Sequence, residues 1–328
     1  MIAQLYRYGL RLIAPISIAA AFVHVALGLL YALLTFTWIG PRGRDAAIMT
    51  WSRILLLIIG VRLESKGLPP APSSSPFLFS PSGTEAGPSS SALPRSWGGV
   101  GGEGAFLPSP SGRGAGGEGL GSLLLINHTS WLDVFSIAAV VPARFVSKAE
   151  IGRWPLVGWL AVAVGTLFVE RGRRHAVVRT NQVVAERLRS GQVIGLFPEG
   201  TTTDGSRLLP FHANLVQPAI DLGAPLRPVG VRFTQRGEFS RVAMFVGEMN
   251  LMQSLWRVVT APYLTVELHW LPPIDPLLSN RHAAASAARS AIAHALGVPL
   301  DEHELRGELA SSADTDDAEP GTRSAPAG

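Results

Sequence analysis

The stretch Asn127-His128-Thr129-Ser130-Trp131-Leu132-Asp133 sets an imidazole and a carboxylate five positions apart. A histidine that takes a proton from a hydroxyl needs a carboxylate on its other nitrogen, to hold one tautomer and to stabilise the imidazolium. On one continuous helix the two side chains would stand about 140° apart. They meet only if His128 lies in a loop and Asp133 in the first turn of a helix. A strand over Leu123–Ile126 and a helix from Trp131 to Val140 give that geometry, with Asn127 and Ser130 expected to cap the turn. A plain loop histidine beside an aspartate favoured by the helix dipole fits the same residues.

Two further stretches follow strand-like runs. Phe168-Val169-Glu170-Arg171-Gly172-Arg173-Arg174 places Arg171 where its fork can reach a phosphate, and puts two more arginines at the start of a helix, where a bound anion would offset the dipole. A solvated basic loop accounts for it equally well. Phe197-Pro198-Glu199-Gly200-Thr201-Thr202-Thr203-Asp204-Gly205 is a turn of glycines and hydroxyls able to present N–H groups to an anion. Glu199 there either positions the loop or bonds a substrate hydroxyl, and an ordinary turn has the same composition. His212 follows closely enough to lie near the site. His24 reads as a packing or interface residue, and His175 as a surface residue of a helix.

Other chemistries lack their residues. There is no cysteine, which removes disulfides, thiolate zinc and cysteine nucleophiles. Gly-x-Ser-x-Gly, the P-loop and His-Glu-x-x-His patterns do not occur, so an acyl-serine elbow, a Walker site and a zincin site are not expected, nor is any metal or cofactor.

The elements that position these residues alternate as in an α/β domain over 122–300. Strands are expected at Leu123–Ile126, Arg144–Ser147, Thr166–Val169, Val193–Phe197, Arg227–Phe233, Val242–Val246 and Leu264–Trp270. Helices are expected at Trp131–Val140, Glu150–Val164 (interrupted at Pro155 and Gly158), Arg174–Arg189, Asn214–Asp221 and Arg281–Leu296.

Residues 1–66 read as a membrane anchor. The thirty residues from Leu12 to Pro41 contain no charged side chain, enough for about 45 Å of helix against roughly 30 Å of hydrocarbon. The apolar run continues past the small residues Ala19–Ala21, unlike a cleavable signal. A second apolar stretch, Ala46 to Val61, is interrupted by Arg53, whose head group would snorkel to the lipid surface. The pair reads as a helical hairpin or as a span followed by an interfacial helix, and an ordinary core helix also fits the second segment. Arg42, Arg44, Arg53, Arg62 and Lys66 after the first segment outweigh Arg7 and Arg11 before it, which places the downstream domain in the cytoplasm.

Residues 69–121 are Gly-, Pro- and Ser-rich and internally repeated: Phe77-Leu78-Phe79-Ser80-Pro81-Ser82-Gly83 returns as Phe106-Leu107-Pro108-Ser109-Pro110-Ser111-Gly112. Such a segment buries too little apolar surface to order itself and reads as a disordered insert. The tail 307–328 reads as disordered as well. From 301 to 328, eight acidic residues face two arginines, leaving 26 basic against 16 acidic in the rest. A basic body beside an apolar anchor suits anionic lipid or a phosphorylated substrate; no basic tract with interleaved aromatics supports nucleic acid.

The three motifs together, each at a strand end, resemble the bacterial lysophospholipid acyltransferases, the family of 1-acyl-glycerol-3-phosphate acyltransferase. Asn127–Asp133 matches the Asn-His-x-x-x-x-Asp box, Phe168–Arg171 the Phe-Val-x-Arg box and Phe197–Thr201 the Phe-Pro-Glu-Gly-Thr box. Arg227-Pro228-Val229-Gly230-Val231 is similar to a fourth, and Lys148-Ala149-Glu150 through Trp154–Trp159 is similar too. The resemblance covers about 122–296. It implies a mixed sheet flanked by helices, His128 as general base, Asp133 as its orienting carboxylate, and Arg171 on the acceptor's phosphate. It further implies Glu199, Gly200, Thr201 and Lys148 at the substrate site.

Partners implied are a lysophospholipid acceptor, acyl-CoA or acyl carrier protein as co-substrate, and the lipids of a bacterial inner membrane. The acceptor implied first is 1-acyl-glycerol-3-phosphate. Thr202 stands where the family often has Arg, and His212-Ala213 where Lys and Gly are frequent; Thr201–Gly205 is also similar to the branch that acylates lyso-ornithine lipid. A transacylase or hydrolase would use the same His–Asp pair.

Overall fold

The structure, a computed structural model, describes residues 2–70, 119–153, 157–169, 174–274 and 280–301. The repeated segment falls outside the described residues from 71 to 118, and so does the acidic tail.

Two helices lead: α1 (Ile2–Thr35) and α2 (Pro41–Ile58). They are locked by a reciprocal pair. His24 Nε2 bonds the Trp51 carbonyl at 3.0 Å, the Trp51 indole N–H donates to the His24 carbonyl at 3.2 Å, and the rings stack. Gly28 makes the approach possible, because a Cβ there would lie 2.1 Å from Trp51 Nε1.

On α2, Ile48, Ser52, Leu55 and Leu56 form one buried stripe by helical spacing, packed with the core of the α/β domain. Arg53 does not snorkel: its Nε donates 2.7 Å to the Ala139 carbonyl. Asp45 pairs with Arg144 of the domain. The second arm of the hairpin is therefore docked on the α/β body, while Ile54 and Leu57 stay exposed. Among the described residues one stretch, Gly9–Thr35, is long and apolar enough to cross a membrane.

The sheet has eight strands. Seven run in the order β1 (Arg62–Lys66), β8 (Leu264–Trp270), β6 (Leu226–Gln235), β2 (Leu123–Ile126), β5 (Ile194–Leu196), β3 (Arg144–Lys148), β4 (Leu167–Val169), and β7 (Glu238–Phe239) pairs with β6 off this path. β2, β3, β4, β5 and β6 form a parallel block, β1 is parallel to β8, and β8 and β7 run antiparallel to β6. The helices are α3 (Leu132–Ala138), α4 (Val157–Ala163), α5 (Arg174–Arg189), α6 (Gln217–Leu222), α7 (Leu251–Val259) and α8 (Arg281–Leu296), with a 3-10 turn at Ala149–Arg153.

Strand β2 explains the two-sided core. Its four residues are all buried: Leu124 and Ile126 face the layer of α2 and α3, and Leu123 and Leu125 the layer of α5, α6 and α8. A strand covered on both faces reads as an unbroken apolar run.

Two of the expected elements change. Arg62–Lys66 belongs to the sheet and not to the anchor; as a largely exposed edge strand it carries no apolar signal, and its partner β8 is about 200 positions away. Val242–Val246 is not a strand but a looped segment, in which the Phe245 N–H donates to the Thr129 carbonyl at 2.9 Å. The Arg236-Gly237 turn, with φ of 55° and 85°, folds β7 back on β6, as two-residue hairpin turns require.

Candidate active site

The carboxyl ends of β2, β5, β3 and β4 lie along one edge of the parallel block, where open α/β sheets bind ligands. β2 delivers Asn127 and His128 there, β5 delivers Phe197 and Glu199, and Lys148 closes β3. Arg171 lies outside the described residues, as does the Lys148 side chain.

His128 and Asp133 meet as expected: Nδ1 is 2.9 Å from Oδ2. Asp133 is wholly buried in the first turn of α3, and the same Oδ2 accepts the N–H groups of Thr129 (2.7 Å) and Ser130 (2.9 Å). With donors surrounding it, the carboxylate acts as acceptor throughout. Nδ1 therefore carries the ring proton, and Nε2 bears the lone pair a general base needs. The His128 side chain is 20% exposed, so this nitrogen belongs to a group open to solvent. Its ring stacks on Phe197 at 4.0 Å, and Phe197 in turn stacks on Phe145.

Asn127 does not cap the helix. Its amide pairs both ways with Val231, Nδ2 donating to the carbonyl at 3.0 Å and Oδ1 accepting the N–H at 2.7 Å. β2 and β6 part after Ile126 and Val229, so the side chain supplies the next rung of the ladder. Ser130 Oγ accepts the Leu132 N–H at 3.3 Å. The fourth motif is thus the stretch of β6 that holds Asn127, and at its Gly230 a Cβ would press on Leu296 at 3.0 Å.

The third motif grips the first through its backbone. Glu199 Oε1 accepts the His128 N–H at 2.7 Å, and Oε2 accepts the Leu209 N–H at 3.2 Å. The Thr203 N–H donates to the His128 carbonyl at 2.9 Å, and the Thr202 hydroxyl donates to the Phe245 carbonyl. Of the two roles open to Glu199, loop positioning is the one its bonds define: the side chain is buried and each oxygen takes a main-chain N–H. Burial pushes its pKa up to about 7, against the two N–H bonds that lower it. Gly200 sits at φ 70°, where a side chain would be strained, and Thr201 is exposed beside it. His212 is exposed and joins the site region only by its N–H, donated to the Pro198 carbonyl at 2.9 Å.

Thr202 and Thr203 are not separable from ordinary turn residues by type. Their signal was only adjacency to Glu199. Among the described residues no group of three or more His, Asp or Glu side chains is placed to hold a metal ion.

A buried carboxylate thus orients a partly open imidazole at the strand ends of a mixed sheet. The chain belongs to the acyltransferase family: the sequence model described as Acyltransferase matches residues 115–232. It is similar to the lyso-ornithine lipid O-acyltransferase of Pseudomonas aeruginosa, with 37% identity over 174 residues, 53% of this chain and 67% of that protein. The 1-acyl-sn-glycerol-3-phosphate acyltransferase of Neisseria gonorrhoeae shares 34% identity over 194 residues, 59% of this chain and 71% of that protein. The crystal structure of the 1-acyl-sn-glycerophosphate acyltransferase PlsC of Thermotoga maritima has the same fold, with a TM-score of 0.53 at 17% identity, over 90% of this chain and 96% of that one. The enzyme is a lysophospholipid-type acyltransferase.

Proposed function

We propose that the enzyme transfers a fatty acyl group from an acyl thioester, on coenzyme A or acyl carrier protein, to the hydroxyl of a lysolipid at the bilayer surface, with 1-acyl-glycerol-3-phosphate as acceptor and phosphatidic acid as product. The observation that carries this reading is the His128 Nδ1–Asp133 contact at 2.9 Å, which leaves Nε2 as the base.

His128 Nε2 takes the acceptor's hydroxyl proton while the oxygen forms its bond to the thioester carbonyl carbon. As the tetrahedral intermediate collapses the C–S bond breaks, and the imidazolium returns the proton to the thiolate. Asp133 stabilises the imidazolium between these steps. No acyl-enzyme is needed, so both substrates bind before product leaves. Arg171 holds the acceptor's phosphate, with Lys148, Gly200 and Thr201 lining the acceptor.

Membrane binding is supported by the uncharged stretch of α1 and by exposed apolar side chains on the helices it packs against, Trp159 and Val162 on α4 and Leu251, Met252 and Trp256 on α7. The basic excess after the first segment supports an inner-membrane enzyme whose catalytic domain faces the cytoplasm.

A second acceptor, lyso-ornithine lipid, is favoured by a specific feature. The position after Thr201 is Thr202, which holds Phe245 and adds no cation for a phosphate. Purified enzyme in bilayers, given labelled acyl-CoA and each lysolipid separately, tests both readings. Labelled phosphatidic acid supports the first and labelled ornithine lipid the second. Acyl transfer to neither, with release of free fatty acid, overturns both in favour of hydrolysis.

A further inference from the structure

Arg289 stands on α8, far outside the three motifs, and is 5% exposed. A guanidinium in that position needs acceptors, because an unpaired buried cation is costly. One of its terminal nitrogens donates to the Leu208 carbonyl and to the Asp301 carbonyl, each at 2.7 Å. The segment it grips is tied down from the other side: the Leu208 N–H donates to the Pro299 carbonyl at 3.1 Å, the Asp301 N–H returns to the Leu208 carbonyl at 2.9 Å, and Arg207 pairs with Asp301 at 3.3 Å.

The Leu208 carbonyl and the Leu209 N–H belong to one peptide group. Its oxygen faces the Arg289 cation, and its N–H donates to Glu199 Oε2. The other carboxylate oxygen holds the N–H of His128. A cation, an oriented peptide dipole and a carboxylate thus stand in series, and each polarises the next. We propose that Arg289 is a positioning residue for the acyl transfer, acting through the Leu208–Leu209 peptide and Glu199 to fix the main chain of His128.

This rests on the reading of His128 as the base. The charged side chains that act on Glu199 are Asp133 of α3 and Arg289 of α8, and the titratable His128 is bonded to it through its main-chain N–H. Asp133 and burial favour a protonated Glu199, and Arg289 opposes them. A protonated carboxyl turns one acceptor oxygen into a hydroxyl and weakens its hold on an N–H. Losing the cation therefore extends the protonated range to higher pH.

The test measures kcat, acceptor KM and the pH–rate profile of the full-length enzyme in bilayers for Arg289→Met, Arg289→Lys, Glu199→Gln, Arg289→Met/Glu199→Gln and His128→Ala, with the folded fraction determined for each. Arg289→Met is expected to lower kcat on the order of ten- to a hundred-fold, with acceptor KM little changed. It should also move the acidic limb of the profile to higher pH. Arg289→Lys, which keeps the cation but not the planar fork, falls between, and the double variant loses much less than the product of the single losses.

A merely structural arginine would reduce the folded fraction at every pH and leave the limb in place. An unmoved limb with multiplicative losses overturns the proposal. If Arg289→Met does not fold, the Arg289→Lys profile decides: a kcat and a limb equal to wild type overturn it. Activity retained in His128→Ala is a separate result that removes the base itself.

Discussion

Glu199 and His128, 71 positions apart in sequence, are joined by a 2.7 Å bond from the His128 main-chain N–H to the Glu199 carboxylate, while the imidazole of the same residue is held by Asp133 at 2.9 Å. Two carboxylates therefore divide one histidine between them. Asp133 sets its tautomer and Glu199 sets its backbone.

On the proposed mechanism, removing His128 ends the chemistry. His128→Ala is expected to abolish acyl transfer, and Asp133→Asn to lower kcat by about 10⁴-fold, because an amide nitrogen in place of Oδ2 would face the N–H groups of Thr129, Ser130 and the His128 ring with a donor of its own. Thioester-release assays at saturating acceptor measure both, and activity within tenfold of wild type for Asp133→Asn would remove it from the orienting role.

Protonation of Glu199 links stability to pH. Its pKa is raised from 4.5 to about 7 in the fold, so between those values the folded state binds a proton that the unfolded chain releases. Stability from this group is fully present below about pH 4.5 and is lost as pH rises through 7, roughly 3 kcal/mol in all. Denaturant unfolding of wild type and Glu199→Gln from pH 5 to 8 should show this decline in wild type alone.

Replacing Asn127 by Ala opens two buried main-chain groups of Val231. A loss of about 1–3 kcal/mol for each unsatisfied group is expected, and Asn127→Asp should fare no better, since it cannot donate to the Val231 carbonyl when ionised. Thermal unfolding measures the cost. A shift of less than a degree for Asn127→Ala would show that the paired amide contributes nothing to the β2–β6 junction.

The α1–α2 hairpin depends on one glycine. Gly28→Leu places carbon where the Trp51 indole lies, with the first added atom 2.1 Å from Nε1. The His24–Trp51 pair should separate. Differential hydrogen exchange at α1 and α2, with unchanged protection in β2 and β6, would register the split.

Much of the sheet and the His–Asp contact were legible in the linear chain because their signals are local. β2 is an uninterrupted apolar run, β8 alternates over Leu264–Trp270, and α8 begins at Asn280, whose side chain caps it, and ends before Gly297. His128 and Asp133 are close in sequence, so strand–loop–helix geometry alone brings them together.

What tertiary structure decided has its partners far apart. Arg62–Lys66 looks like a polar end to the anchor, and only hydrogen bonding to β8 makes it a strand. Val242–Val246 alternates like a strand but finds no strand partner, so it packs as a loop on Thr129. Asn127 has a capping residue's chemistry, yet the backbone left unpaired where β2 and β6 diverge competes for its amide and wins. Arg289 is a charge in an alanine-rich helix, and nothing near it in sequence explains it. Residue type and spacing determine which local geometries are available; long-range pairing of buried polar groups selects among them, because each such group left unmatched costs more than the local preference it overrides.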